Sequence, residues 1–272
     1  SGKFDKTEVL QKIDQYFSPI AARTVPEAVQ VPSLDASKIS QRQFSVQKGS
    51  DFAKFHIYLN GSNSNIQPAL AVAPSLYTMQ PSGSLYKSMV QTGLSTAVQS
   101  TTWLENEFNL VFMGAVYAPT HDAAKVQTAL TQGVENNTAF SAVELQRIKS
   151  ISQNAAENVA KDAVALGSRL SDYAVSERGQ WTKYFQDLHA IQDLKLDTTN
   201  QTLKQFLVAS QRISADILPT PEDQKQAMTA SKAAPAKTLD QSAEKAEPLK
   251  DVAVYTQQIQ QFVKVILQVL LL

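Results

Sequence analysis

The chain has 272 residues, 43% of them hydrophobic, enough for one large domain or two small ones. Its 25 Lys and Arg balance 25 Asp and Glu, so no net field draws it to nucleic acid or to anionic lipid. Cysteine is absent, which excludes disulfides, thiolate zinc sites and cysteine nucleophiles.

The opening SGKFDKTEVL holds no apolar stretch of the signal-peptide kind, and Ser1–Phe4 reads as the end of a strand in a chain that starts mid-protein. Asp5 or Thr7 can cap a helix carrying Val9, Leu10, Ile13, Tyr16 and Phe17 on one side, ended by Pro19. A proline-bearing loop over 21–42 leads to two strand-like stretches, Gln43–Gln47 and Phe52–Leu59, and Phe55, Ile57 and Leu59 alternate in the second. Gly49, Ser50 and Asp51 between them suit a hairpin turn. After a polar loop at 60–65, the apolar run 66–79 is predicted helical, with Pro68 in its first turn and Pro74 inside.

Residues 82–100 read SGSLYKSMVQTGLSTAVQS. Ser82 is the expected N-cap, Leu85, Met89 and Val90 recur at helical spacing, and Gly93 stands where a positive φ ends a helix. Leu94, Thr96 and Val98 then alternate as in a strand. EFNLVFMGAVY at 107–117 is apolar on both faces, as in a central strand covered on each side. Thr120 opens a helix through Leu130. Ser141 and Glu144 form a capping box. From it a long helical pattern runs through Leu145, Ile148, Ala155, Val159, Leu166, Leu170 and Tyr173, with a bend expected at Gly167. Gly179 separates this from a helix over Trp181–Leu194, and Asp197 or Thr198 starts a short third one. Ile213, Ala215 and Ile217 alternate against Arg212, Ser214 and Asp216 in a final half-buried strand. The order predicts an α+β fold, a mostly antiparallel sheet backed by helices on one face.

After Pro219 large apolar residues become scarce, so 1–219 is the expected ordered domain and 220–250 a flexible linker. The apolar stretch 251–272 is broken by Lys264 and Gln268, and its uninterrupted part is far shorter than the ~20 residues of a membrane span. It reads as the start of a following domain or as a C-terminal segment packing back on this one.

Chemistry is scarce. His56, His121 and His189 lie outside helical reach of one another, and ordinary packing or surface roles suit them better than a zinc site. No nucleophile elbow, phosphate loop or dinucleotide fingerprint occurs. Glu105 and Glu107 read as solvated loop carboxylates, Trp103 as a surface anchor or a core lid, and Trp181, Tyr184 and Phe185 as one helix's core face. The lysines of 225–250 are diluted by Asp and Glu, against a nucleic-acid tail. Residue by residue, this is a binding or scaffold domain with no catalytic, cofactor-binding or metal-binding residue of its own.

GSLYKSMVQTGLSTAV, the opening GKFD, the helix ending YFSPI and the FSAVELQRIKS helix together resemble, in order, the pitrilysin–insulinase family of zinc metallopeptidases, over about 1–220. The mitochondrial processing subunits share that architecture. The resemblance implies a processing-peptidase-like α+β domain of the second, non-catalytic type. The family's first domain carries HxxEH and a distal glutamate that hold zinc, and this chain has neither, so zinc is expected in a partner domain or subunit. The half without zinc supplies an arginine and a tyrosine seven residues apart, and the matching positions here are Val90 and Ala97, which donate nothing to a tetrahedral intermediate. In the insulin-degrading branch the strand at this place anchors a substrate's N-terminal segment. That carries an anchoring role over to Ser95, Thr96, Ala97, Val98, Gln99 and Ser100, with a peptide as the partner. The function implied is to help enclose and hold a peptide while a separate domain carries zinc. The alternative is a domain of a catalytically dead member serving in assembly, which the absence of an upstream HxxEH in the parent would favour. Bacterial members imply a periplasmic location.

Overall fold

The computed structural model describes residues 3–22, 43–47, 52–61 and 63–223, all within the compact unit Ser1–Met228. Strands β1 (Gln43–Gln47), β2 (Phe52–Gly61), β3 (Ala97–Leu104), β4 (Phe108–Tyr117) and β5 (Arg212–Leu218) form one sheet in the order β1-β5-β2-β4-β3. The pairs β5–β2, β2–β4 and β4–β3 are antiparallel, and β1–β5 is parallel. The expected hairpin of β1 with β2 does not form, because β5 inserts between them. Alternation fixes which side chains face the core, whereas the partner of a strand is fixed by the rest of the sheet. The proposed turn at 49–51 lies outside the described residues.

Register sets the two faces. His56 stands opposite Met113 and Ser214, and Met113 opposite Ser100, so these four share one face, flanked by Tyr58, Val111 and Ala115. Helices α2 (Gln67–Thr78) and α3 (Ala123–Glu135) pack on that face. Leu70, Tyr77, Val126 and Leu130 there meet Tyr58, Val111 and Met113, all fully buried. Each such side chain contributes about 1.5–3 kcal/mol by leaving water. Over the opposite face Phe55, Ile57, Phe112 and Val116 are only half-buried and Trp103 is 49% exposed. The strand at 107–117 is therefore covered by helices on one face, not on both. Its outer face stays apolar because the side chains shield each other, as the Phe55 and Phe112 rings do at 5.2 Å.

The helices follow their caps. In α1 (Lys6–Phe17) the Asp5 carboxylate accepts the Glu8 N–H at 2.9 Å. Of its apolar residues Val9 is half-buried, and Leu10, Tyr16 and Phe17 are more than half exposed. Asp122, rather than Thr120, caps α3 by accepting from the N–H groups of Ala124 and Lys125. The capping box forms at Ser141 and Glu144, opening α4 (Ala142–Lys161). The break in the long helical pattern falls at Asp162, not at Gly167. Asp162 ends α4 and caps α5 (Ala163–Ser176), accepting from Val164 and Ala165 at 2.8 and 3.1 Å. A carboxylate that can satisfy freed amides ends a helix more decisively than an interior glycine, which costs only about 1 kcal/mol. α6 (Lys183–Gln192) follows Gly179, whose φ is +94°. α7 (Leu196–Phe206) starts after Lys195, with no side-chain cap from Asp197 or Thr198. β5 ends at Leu218. The expected linker beyond Asp223, the segment 251–272 and the loop at 23–42 lie outside the described residues.

Candidate functional site at the β3 edge

The stretch from Ser82 to Leu104 is built around one tight joint. Ser82 makes no capping bond. Instead Met79 O accepts the N–H of Gly83, and a helical turn at 84–85 widens into a π-helical turn at Tyr86–Val90. Gly83 is obligatory there, because a Cβ would sit 2.5 Å from the carbonyl oxygen of Tyr77. Gly93 ends the turn with φ +74°, as its position suggests. The N–H groups of Leu94 and Ser95 both donate to Met89 O at 2.9 Å, and Thr96 N–H donates to Val116 O at 2.8 Å. The chain thus passes from helix to sheet with its amides paired.

β3 pairs with β4 alone, from Ala97 opposite Val116 to Leu104 opposite Asn109. Its other edge faces no strand among the described residues. The six residues singled out from the sequence fall on or just before this edge, in different surroundings. Ser95 is 4% exposed, precedes the strand, and its hydroxyl has no partner. Thr96 Oγ1 donates to Val116 O at 3.1 Å. Ala97 and Gln99 lie on the sheet face away from the helices, while Val98 packs against the core. Ser100 Oγ lies 2.7 Å from Thr78 Oγ1 on α2. Of the six, Thr96 and Gln99 are exposed and Ala97 and Val98 half-buried, while the hydroxyls of Ser95 and Ser100 are turned inward. Val90 ends the π-helical turn and Ala97 opens β3, and neither carries a polar side chain.

The histidines serve structure. His56 is fully buried on β2, with Nε2 2.9 Å from Thr131 Oγ1 and Nδ1 3.3 Å from Ser214 Oγ. Burial, and then the charge of Arg212, hold its pKa down to about 3. His121 Nδ1 accepts the Ala118 N–H at 3.2 Å, and His189 is exposed on α6. Among the described residues no cluster of His, Asp or Glu side chains could hold a metal ion. These residues do not fit the zinc of a first-type domain. Of Trp181, Tyr184 and Phe185, only Tyr184 is buried, so the expected common core face is absent. No described helix is long and apolar enough to cross a membrane.

Comparison with known proteins agrees with this geometry. The family described as the peptidase M16 inactive domain matches residues 1–152. A protein assigned as a zinc protease from Bordetella pertussis is 27% identical, covers 62% of this chain and 94% of its own, and superposes with a TM-score of 0.56. The inactive peptidase domain of a similarly assigned protein from Bordetella parapertussis is 26% identical over 64% of this chain and 97% of its own, with a TM-score of 0.57. The first half of the periplasmic protease PqqL from Escherichia coli shares the fold, with a TM-score of 0.62 at 14% identity over 87% of this chain and 55% of its own. No match is found among curated proteins. With residues 1–152, more than half its length, matched and a sheet backed by helices on one face, the chain belongs to the peptidase M16 inactive domain family.

Proposed function

We propose that this domain holds an extended peptide for a zinc-bearing homologous domain or subunit, taking the peptide as an added strand along the open edge of β3. The observation that carries the reading is the one-sided pairing of β3. An edge strand offers a row of free N–H and C=O groups, and an extended peptide can satisfy them without a dedicated side-chain pocket. Each backbone hydrogen bond contributes about 0.5–1.5 kcal/mol net, and ordering the peptide offsets much of the sum, so the isolated domain binds weakly and with little sequence preference. The likeness to zinc proteases supports catalysis on a separate domain, and the likeness to periplasmic PqqL supports a periplasmic location. Amide hydrogen exchange tests the reading. With an excess of a nine-residue peptide of alternating Thr and Val, protection should rise over 97–104 and stay unchanged in β2. Unchanged exchange along β3 would overturn it.

A further inference from the structure

A cleft of about 560 Å³ opens at the C-terminal end of β3, between α2 and the α5–α6 pair. Its walls are fixed by side chains. Gln67 Nε2 donates to the carbonyl of Glu105 at 3.1 Å, tying the end of β3 to α2. Asn106 Nδ2 donates to Ser176 O at 3.4 Å, tying the β3–β4 turn to α5. Pro68, Leu104 and Ile191 supply an apolar floor, and Glu105, Glu177 and Asp187 line it with Lys183 as the cation among them.

The charges there are unevenly matched. Lys183 Nζ binds Asp187 at 2.9 Å, and Asp187 also accepts the Tyr173 hydroxyl at 3.1 Å. Glu177, its side chain only 19% exposed, has that same Lys183 at 3.9 Å as its nearest cation and accepts no side-chain hydrogen bond among the described residues. Glu105 is exposed at the β3–β4 turn and forms no ion pair among them. Tyr173 registers the field: its hydroxyl is pushed up to about 12, first by burial and then by Asp187, with Glu177 adding and Arg169 opposing. A cleft with an apolar floor, an exposed carboxylate outside any ion pair and a second carboxylate that shares Lys183 with Asp187 matches a side chain with an aliphatic stem and a positive head.

We infer that this cleft takes a lysine or arginine side chain near the N-terminal end of the peptide lying along β3, its stem over Leu104 and its head between Glu105 and Glu177. The inference rests on the edge-strand reading above. An antiparallel added strand places the peptide's N-terminal end beside Leu104, where β3 ends. The cleft then supplies the sequence preference that backbone pairing alone lacks.

The test uses the full chain and two N-acetylated nine-residue peptides of alternating Thr and Val, one with lysine and one with norleucine at the first position. Affinity is followed by fluorescence polarisation and location by amide exchange. The lysine peptide should bind about tenfold more tightly, and the gain should vanish in Glu105→Gln/Glu177→Gln and shrink at high salt. The paired variant leaves the Lys183–Asp187 bond in place, and an unchanged thermal midpoint confirms its fold. Equal affinity of the two peptides, with protection along β3, overturns the cleft and leaves the edge standing. A lysine-dependent gain without protection along β3 overturns the edge and leaves the cleft as a cation site.

Discussion

His56 Nε2 lies 2.9 Å from the hydroxyl of Thr131, and this contact belongs to a histidine held without charge beneath the sheet. Arg212 and Asp216 on β5, Glu135 on α3, Lys54 and Tyr58 on β2, Tyr77 on α2 and Tyr117 on β4 are further ionisable groups of this layer, and Lys54 is paired with Asp216 at 2.8 Å. In the unfolded chain the imidazole titrates near 6.5, and in the fold near 3. Between those values the unfolded state binds the extra proton. The contribution is therefore fully present above about pH 6.5 and is lost as pH falls toward 3, by up to about 1.4 kcal/mol per pH unit. Urea midpoints at pH 7, 6 and 5 should fall steadily, and less steeply in His56→Gln. Equal slopes for the two proteins would contradict this account.

Glu135 serves two donors: the Tyr58 hydroxyl at 3.1 Å and the guanidinium of Arg212. Both carboxylate and guanidinium are less than a quarter exposed. Glu135→Ala strands both donors and should cost about 2–3 kcal/mol. Adding Arg212→Ala should cost less than the sum of the single changes, because the stranded cation is then gone. Denaturant midpoints at constant slope measure the cycle, and strict additivity would show that the contact is energetically idle.

Gly83→Ala should destabilise by about 3 kcal/mol, since the obstacle at 2.5 Å is the backbone carbonyl of Tyr77 and not a flexible side chain. Gly61→Ala is the control. Nothing lies within 4 Å of a Cβ there, and its effect should stay within about 0.5 kcal/mol. Thermal melting of both variants decides the matter, with equal losses refuting the steric argument.

The purified chain should carry no stoichiometric zinc and should leave a quenched peptide uncut. The three histidines are committed to packing, a turn and an exposed helix face, too far dispersed to share one ion. Elemental analysis without chelator is the measurement, and one tightly held zinc per chain would refute it.

Local chemistry was legible in the sequence, and long-range geometry was not. The Ser141–Glu144 box, the Asp5 cap and the positive φ at Gly93 each depend on a few adjacent residues, and each was readable. Asp162 sits inside a periodic apolar pattern that continues on both sides, so the sequence pattern points to Gly167 as the breaker instead. Pairing of β1 with β5 left no trace, since both strands alternate as they would with any partner. At the site, the alternation of Leu94, Thr96 and Val98 after Gly93 points to β3, which begins at Ala97, while the one-sidedness of its pairing depends on the whole sheet. Glu105 is exposed, as a solvated loop carboxylate should be, while the cleft it borders joins residues from three separate stretches and has no local sequence signal.

The parallel pairing of β1 with β5 sets a timetable. Gln43 finds Ser214 about 170 residues later in the chain. At a synthesis rate of about 5–20 residues per second, β1 waits roughly 10–35 s on the ribosome before its partner exists. The hairpin of β3 and β4 needs no such delay, because its strands are separated only by a short turn. Synthesis order therefore permits the β3–β4 hairpin, the border proposed to receive a peptide, to form before the strand that closes on β1 at the opposite border exists.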